Sequence, residues 1–153
     1  MIRIPLIIAT LVASAPTSPD TFALECKGEI YQASVNDGEP SDLTVSMPDQ
    51  IFVFSEGSQS VLRAMPRRHE FETVCDIGGN GTRVAFSPET IKVEWESSPD
   101  WEARTSCKFE LDRSEGKASL WTQFEWSKTR YSETEWRMEC CPTPVPIYPQ
   151  EQQ

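Results

Sequence analysis

From residue 24 onward the apolar positions of this chain recur mostly at every second residue, and no stretch sustains an apolar stripe of period 3.6. Such alternation is what a strand with one buried and one solvated face requires, because successive side chains leave opposite faces. The clearest case is 90–96, where Ile91, Val93 and Trp95 share one face and Lys92, Glu94 and Glu96 the other. A partner is expected at 105–113, with Cys107, Phe109 and Leu111 inward. Residues 118–126 follow, with Leu120, Thr122, Phe124 and Trp126 on one face. A last strand at 130–141 puts Trp136, Met138 and Cys140 on one side.

The first half is less regular. Residues 24–35 read as a strand with a bulge near Tyr31, ended by the turn Asn36-Asp37-Gly38. Short strands are expected at 43–47, 51–54 and 60–65, separated by Pro48-Asp49 and Glu56-Gly57-Ser58. Residues 71–77 place Phe71, Thr73, Cys75 and Ile77 together, and Gly78-Gly79-Asn80-Gly81 is expected to close a hairpin into 82–86. Every connection is too short for a crossover helix, so neighbours run antiparallel. The fold class is all-β: an antiparallel meander of about eight strands forming a small barrel or sandwich.

Both ends break the alternation. Arg3 precedes an uncharged, largely apolar run from Ile4 to Ala15. That run is shorter than the roughly 20 residues of a membrane-spanning helix but suits the core of a signal peptide. Cleavage after Ala23 keeps small residues at both recognition positions, Thr21 and Ala23, and leaves Leu24 as the new terminus. Cleavage after Ala15 would put Pro16 first, where peptidases work poorly. The expected organisation is a signal peptide at 1–23, one β-domain at 24–141 and a flexible Pro-rich tail at 142–153. Four prolines between Pro142 and Pro149 favour polyproline II geometry in that tail. Glu25, directly before Cys26, argues against a lipid anchor. The chain is expected to be periplasmic or secreted, with no transmembrane segment.

Composition narrows the picture further. The 153 residues suit a single domain, and 14 Lys+Arg against 24 Asp+Glu leave a formal charge of −10. That charge disfavours a sequence-independent grip on nucleic acid and docking on an anionic membrane. Five cysteines in an oxidising compartment read as two disulfides and one odd thiol. First and last strands lie side by side in a closed or nearly closed sheet, so Cys26 is expected to bridge to Cys140 or Cys141. Cys75 and Cys107 then pair by elimination. The rival reading, a metal held by Cys140 and Cys141 with Cys75 or the single His69, needs adjacent side chains to face one centre, which they seldom do. No metal and no cofactor are expected.

Candidate chemistry is sparse. His69 lies in Pro66-Arg67-Arg68-His69-Glu70 and reads as a loop histidine, since no Gly-x-Ser-x-Gly nucleophile elbow accompanies it. Glu94 and Glu96, Glu110 and Asp112, and Glu133 and Glu135 form carboxylate pairs at spacing two. Same-face neighbours on a strand lie about 7 Å apart, within the range of a glycosidase acid and base. All three pairs fall opposite the apolar face, where they serve solubility, and no catalytic residue is assigned. Trp95, Trp126 and Trp136 fall in the inward register and read as core. Trp121 faces outward with Gln123 and Glu125, and Trp101 lies in a loop. Exposed indoles stack on sugars or anchor protein partners, so Trp101 and Trp121 are the candidate ligand-binding residues. Asn80-Gly81-Thr82 fits an N-glycosylation acceptor.

The segment Phe109-Glu110-Leu111-Asp112-Arg113-Ser114-Glu115-Gly116 resembles a pattern found in small exported bacterial β-proteins of uncharacterised function. In that pattern a strand ends in Leu/Ile-Asp-Arg, passes a Gly-containing turn, and returns to close on a late Cys. An early apolar residue, Cys and Gly are matched by Leu24, Cys26 and Gly28; the doubled Cys140-Cys141 is a departure. The resemblance implies an exported β-domain with a terminal bridge. The expectation is therefore an exported non-enzymatic domain that binds a protein or carbohydrate partner, in one version as an inhibitor of a basic hydrolase. A carbohydrate-binding module and a carboxylate-pair hydrolase are the alternatives.

Overall fold

Residues 20–77, 81–98 and 100–148 are described by the computed structural model. The leader residues 1–19 and Asn80 of the glycosylation pattern lie outside them. Nine strands and no helix are found among the described residues. β1 (Thr21–Asn36) and β2 (Glu39–Ser55) meet at Asp37 and Gly38, whose φ angles of 51° and 84° make the turn that matches hairpin twist. β3 (Ser60–Met65), β4 (Glu70–Thr73), β5 (Arg83–Phe86), β6 (Thr90–Glu96), β7 (Arg104–Asp112), β8 (Lys117–Ser127) and β9 (Arg130–Thr143) complete the set.

The two short strands expected at 43–47 and 51–54 are one strand, β2. Cys26 opposes Gln50 and Gly28 opposes Met47, so Pro48 and Asp49 form a bulge against Lys27. A bulge is one of the few places inside a sheet where a residue without an N–H is tolerated. No bulge occurs at Tyr31, which pairs in regular register with Thr44 and Glu135.

All nine strands belong to one antiparallel sheet in the order β4-β3-β2-β1-β9-β8-β7-β6-β5, which rules out the sandwich. Sequence neighbours pair throughout except β4 and β5, which are the two edges. The hairpin expected across Gly78 to Gly81 is therefore not formed, although residues 78–80 themselves lie outside the described set. Strand β4 also ends at Thr73 rather than Ile77. Cys75 adopts a left-handed φ of 60°, and Phe71 is exposed rather than inward.

The sheet curls into a half-barrel. Along the sheet β2 and β7 are four strand spacings apart, roughly 19 Å, yet Phe52 and Phe54 of β2 approach Phe109 of β7 to 5.3 and 6.0 Å between ring centroids. Concave-side residues Phe52, Phe54, Phe109, Ile91 and Leu111 are fully buried. Removing each from water stabilises the fold by about 1.5–3 kcal/mol. Two disulfides staple the sheet, and the second of them holds the curl. Cys26–Cys140 spans directly opposed residues of β1 and β9, and Cys75–Cys107 ties the segment after β4 to β7. Cys141 carries the free thiol and is exposed. Two disulfides in an all-β domain fit an extracellular or otherwise oxidising compartment.

Strands β1 and β9 both run past the expected domain limits at Leu24 and Cys141. A domain start at Leu24 would cut β1, whose first residues are integral: Phe22 stacks on Phe54 at 5.0 Å, and Ala23 is 2% exposed. The tail from Pro142 to Tyr148 is anchored at its two ends, although Val145 and Ile147 between them are exposed. Pro142 and Thr143 extend β9 beside Leu24 and Ala23, and Tyr148 rests on Phe71 at 4.9 Å and on His69 at 5.9 Å. Phe71 shares its face with Ala64, Leu62, Val53 and Ala23 through successive pairings. This is the convex face, normally solvated, yet Ala23, Val53 and Ala64 are buried. Thr143 beside Ala23 and Tyr148 on Phe71 anchor the Pro-rich segment at its two ends as a strap from β9 to β4, a role that suits an extended chain with few N–H groups to satisfy.

Candidate functional site

A cavity of about 340 Å³ opens on the concave side. Its floor is set by register. Ile30, Trp136 and Leu120 stand in one row across β1, β9 and β8, and Gln32, Thr134 and Thr122 stand in the next. One row is apolar and the other supplies hydroxyl and amide groups, because each residue two positions along a strand returns to the same face. The facing wall comes from β3, β4 and the segment after it. Arg63 and Glu72 are directly paired across β3 and β4 and form an ion pair at 2.5 Å. The Arg63 guanidinium also lies 5.2 Å from the Trp136 ring centroid, in the geometry of a cation–π contact. Strands β3 and β9 are three positions apart in the sheet, so only the curl brings these two residues together. Val74, Cys75, Asp76 and Ile77 complete the wall, and Cys107 lies opposite as the disulfide partner of Cys75.

The candidates expected from sequence lie elsewhere. Trp121 is on the convex face, between Lys108 and Glu135 in register, with the Lys108 ammonium 5.7 Å from its ring. Trp101 is 40% exposed and packs edge-on at 5.4 Å against Trp95, which is buried on the concave side. Trp101 and Trp121 therefore occupy opposite faces and do not form a common platform. Among the described residues the indole N–H of Trp95 finds no hydrogen-bond partner. Trp126, read as core, is 43% exposed: it is the extra residue of a bulge between Glu125 and Ser127, stacked on Phe124 and covered by Arg130 at 5.2 Å. The β8–β9 hairpin tip simply projects beyond the core.

The carboxylate pairs are solvated, and one member of each has a cationic partner. Glu94 pairs with Arg83 at 3.5 Å, Glu110 with Lys92 at 3.8 Å and Glu135 with Arg137 at 2.8 Å. Arg137 also lies 4.3 Å from the Tyr31 ring. The Tyr31 hydroxyl donates to Glu29 at 2.5 Å, and this bond is the main reason its phenol is held above the usual 10.0. Cys140 is consumed in a disulfide while Cys141 points away, so the vicinal pair does not converge on one centre. His69 sits in an exposed loop with a left-handed φ of 52° and stacks on Tyr148.

Arg63, Gln32, Thr122 and Thr134 were not singled out from sequence. One signal was present: Thr122 falls between Leu120 and Phe124 in the inward register, and a polar residue on a core-facing stripe marks where the core gives way to a cavity. Comparison with protein-family models, curated proteins and solved structures finds no match to this chain. No helix among the described residues is long and apolar enough to cross a membrane.

Proposed function

We propose that this is an exported, non-enzymatic binding domain whose ligand enters the concave cavity. The observation that carries the reading is the composition of that cavity: an apolar row beside a hydroxyl and amide row, closed by an ion pair stacked on Trp136. Small-molecule sites are of this kind, mostly apolar with a few placed polar groups, and begin at volumes of about 300 Å³. The ligand class is a small, largely apolar molecule with one or two hydrogen-bonding groups. Export is supported by the apolar leader and by the two disulfides. Inhibition of a basic hydrolase rests on the charge of −10, and the cavity adds nothing to it. Opposite placement of Trp101 and Trp121 leaves the carbohydrate reading with no shared stacking surface.

Titration with the neutral fluorophore N-phenyl-1-naphthylamine tests the reading. Wild-type protein is expected to bind it with quenching of Trp136 emission, and Trp136→Ala to weaken binding by about tenfold, the equivalent of losing one aromatic contact. Absence of saturable binding by the wild type, or equal binding by Trp136→Ala, overturns the assignment of the cavity.

A further inference from the structure

We infer that two copies of this chain join edge to edge through Ser41–Met47 of β2, extending the sheet across a two-fold axis at Thr44. Strand β3 pairs with β2 over Phe52 to Ser55, so among the described residues no strand lies beside the outer edge of β2 from Glu39 to Ile51. A free edge offers unpaired backbone N–H and C=O groups, and soluble proteins usually blunt such edges with charge or proline. Here the proline sits at both ends, Pro40 and Pro48, and leaves seven residues between them. Within those seven, Leu43 is 53% exposed and Val45 39% exposed. Both face the concave side, since Leu43 opposes Gln32 and Val45 opposes Ile30.

The stretch is complementary to itself. Antiparallel pairing centred on Thr44 uses all seven residues and stops at the prolines, where the ladder has no donor to continue. It places Leu43 opposite Val45 of the second copy, and Val45 opposite its Leu43, so that four apolar side chains exposed in the single chain cover one another. Asp42, the one charged residue of the stretch, faces Ser46 and meets no like charge. Asp49, which this register brings toward Glu39, is already paired with Lys27 at 3.5 Å. A closed two-fold contact also uses up the edge in both partners and gives a dimer rather than a fibre.

Sedimentation analysis at about 100 μM is expected to show a dimer of the exported chain. Val45→Lys, at an exposed position that leaves the fold intact, is expected to weaken association by at least about tenfold with an unchanged far-ultraviolet spectrum. In a Cys141→Ser background, Thr44→Cys places two thiols on the axis and is expected to link into a covalent dimer under air oxidation. Ser58→Cys, in an exposed turn, is the control and should not link faster than chance encounter allows. A monomer at that concentration overturns the inference. So does a dimer that ignores Val45→Lys and fails to cross-link through Thr44→Cys, which would place the contact elsewhere.

Discussion

Gly28 shows how close two backbones come at the centre of this sheet. A Cβ built there would lie 1.8 Å from the carbonyl oxygen of Arg137, a backbone atom that cannot swing away. Gly28→Ala must push β1 from β9 or twist it within the bulge. We expect a loss of about 3 kcal/mol or more, read as a lower urea midpoint with an unchanged slope. At the tip of the β7–β8 hairpin, one Asp112 oxygen accepts bonds from the Ser114 hydroxyl and from the backbone N–H groups of Ser114 and Glu115. The Ser114 hydroxyl and then the Glu115 amide hold this carboxyl below its usual 3.8, against the opposing effect of burial. A carboxyl lowered by folding contributes stability that is complete above its ordinary value and disappears as the pH falls through the lowered one. Wild type is therefore expected to melt above Asp112→Asn at neutral pH, by a margin that stays level down to about pH 4 and shrinks below it. A margin independent of pH would show that the turn gains nothing from ionisation.

At the scale of elements, the two disulfides do different work. Cys26–Cys140 closes a separation of 114 residues between strands that are already hydrogen-bonded neighbours. Cys75–Cys107 closes 32 residues and holds the cavity wall after β4 against β7, with which β4 has no pairing. Chain entropy assigns the longer loop about 4–5 kcal/mol and the shorter about 3–4. Global stability should thus fall more in Cys26→Ser/Cys140→Ser. Cys75→Ser/Cys107→Ser should keep its strand content by circular dichroism and lose N-phenyl-1-naphthylamine binding; retained binding would mean the wall stands without the bridge. The strap makes a second element-level expectation. Ending the chain after Thr143 removes the contact of Tyr148 with Phe71, and should speed amide exchange in β3 and β4 while leaving β7 and β8 protected. Uniform protection in both would mean that the strap contributes no local stability.

For the whole molecule, the start of β1 at Thr21 bears on processing. A chain beginning at Leu24 lacks Phe22 and Ala23, and with them a ring stacked on Phe54 and a fully covered convex-face residue. It should be less stable than a chain beginning at Pro16 by about 2–4 kcal/mol, the burial of one aromatic and one small side chain. Intact mass of the protein made in cells, before and after reduction, checks both the terminus and the single free thiol of Cys141. A mature start at Leu24 with undiminished stability would show that β1 begins later than Thr21.

Much of this architecture could be read from alternation alone. Thr90–Glu96 and Ser60–Met65 match their expected bounds, and Cys107, Phe109 and Leu111 face inward as their spacing requires. The pairing of Cys75 with Cys107 and the link from Cys26 to the chain's end followed from the cysteine count and from the adjacency of first and last strands. Those properties are local or nearly so: period two identifies a face, and a turn residue identifies an end. Which strands become edges is not local. It depends on twist accumulated over nine strands and on where the curl lets concave side chains meet. For that reason the seam between β4 and β5, the stacking of Arg63 on Trp136, the exposure of Trp126 at a projecting hairpin and the strap ending at Tyr148 were decided by the tertiary structure. The all-β class, the inward register of strands such as Thr90–Glu96, and a cysteine set suited to two disulfides were already determined by the order of residues along the chain.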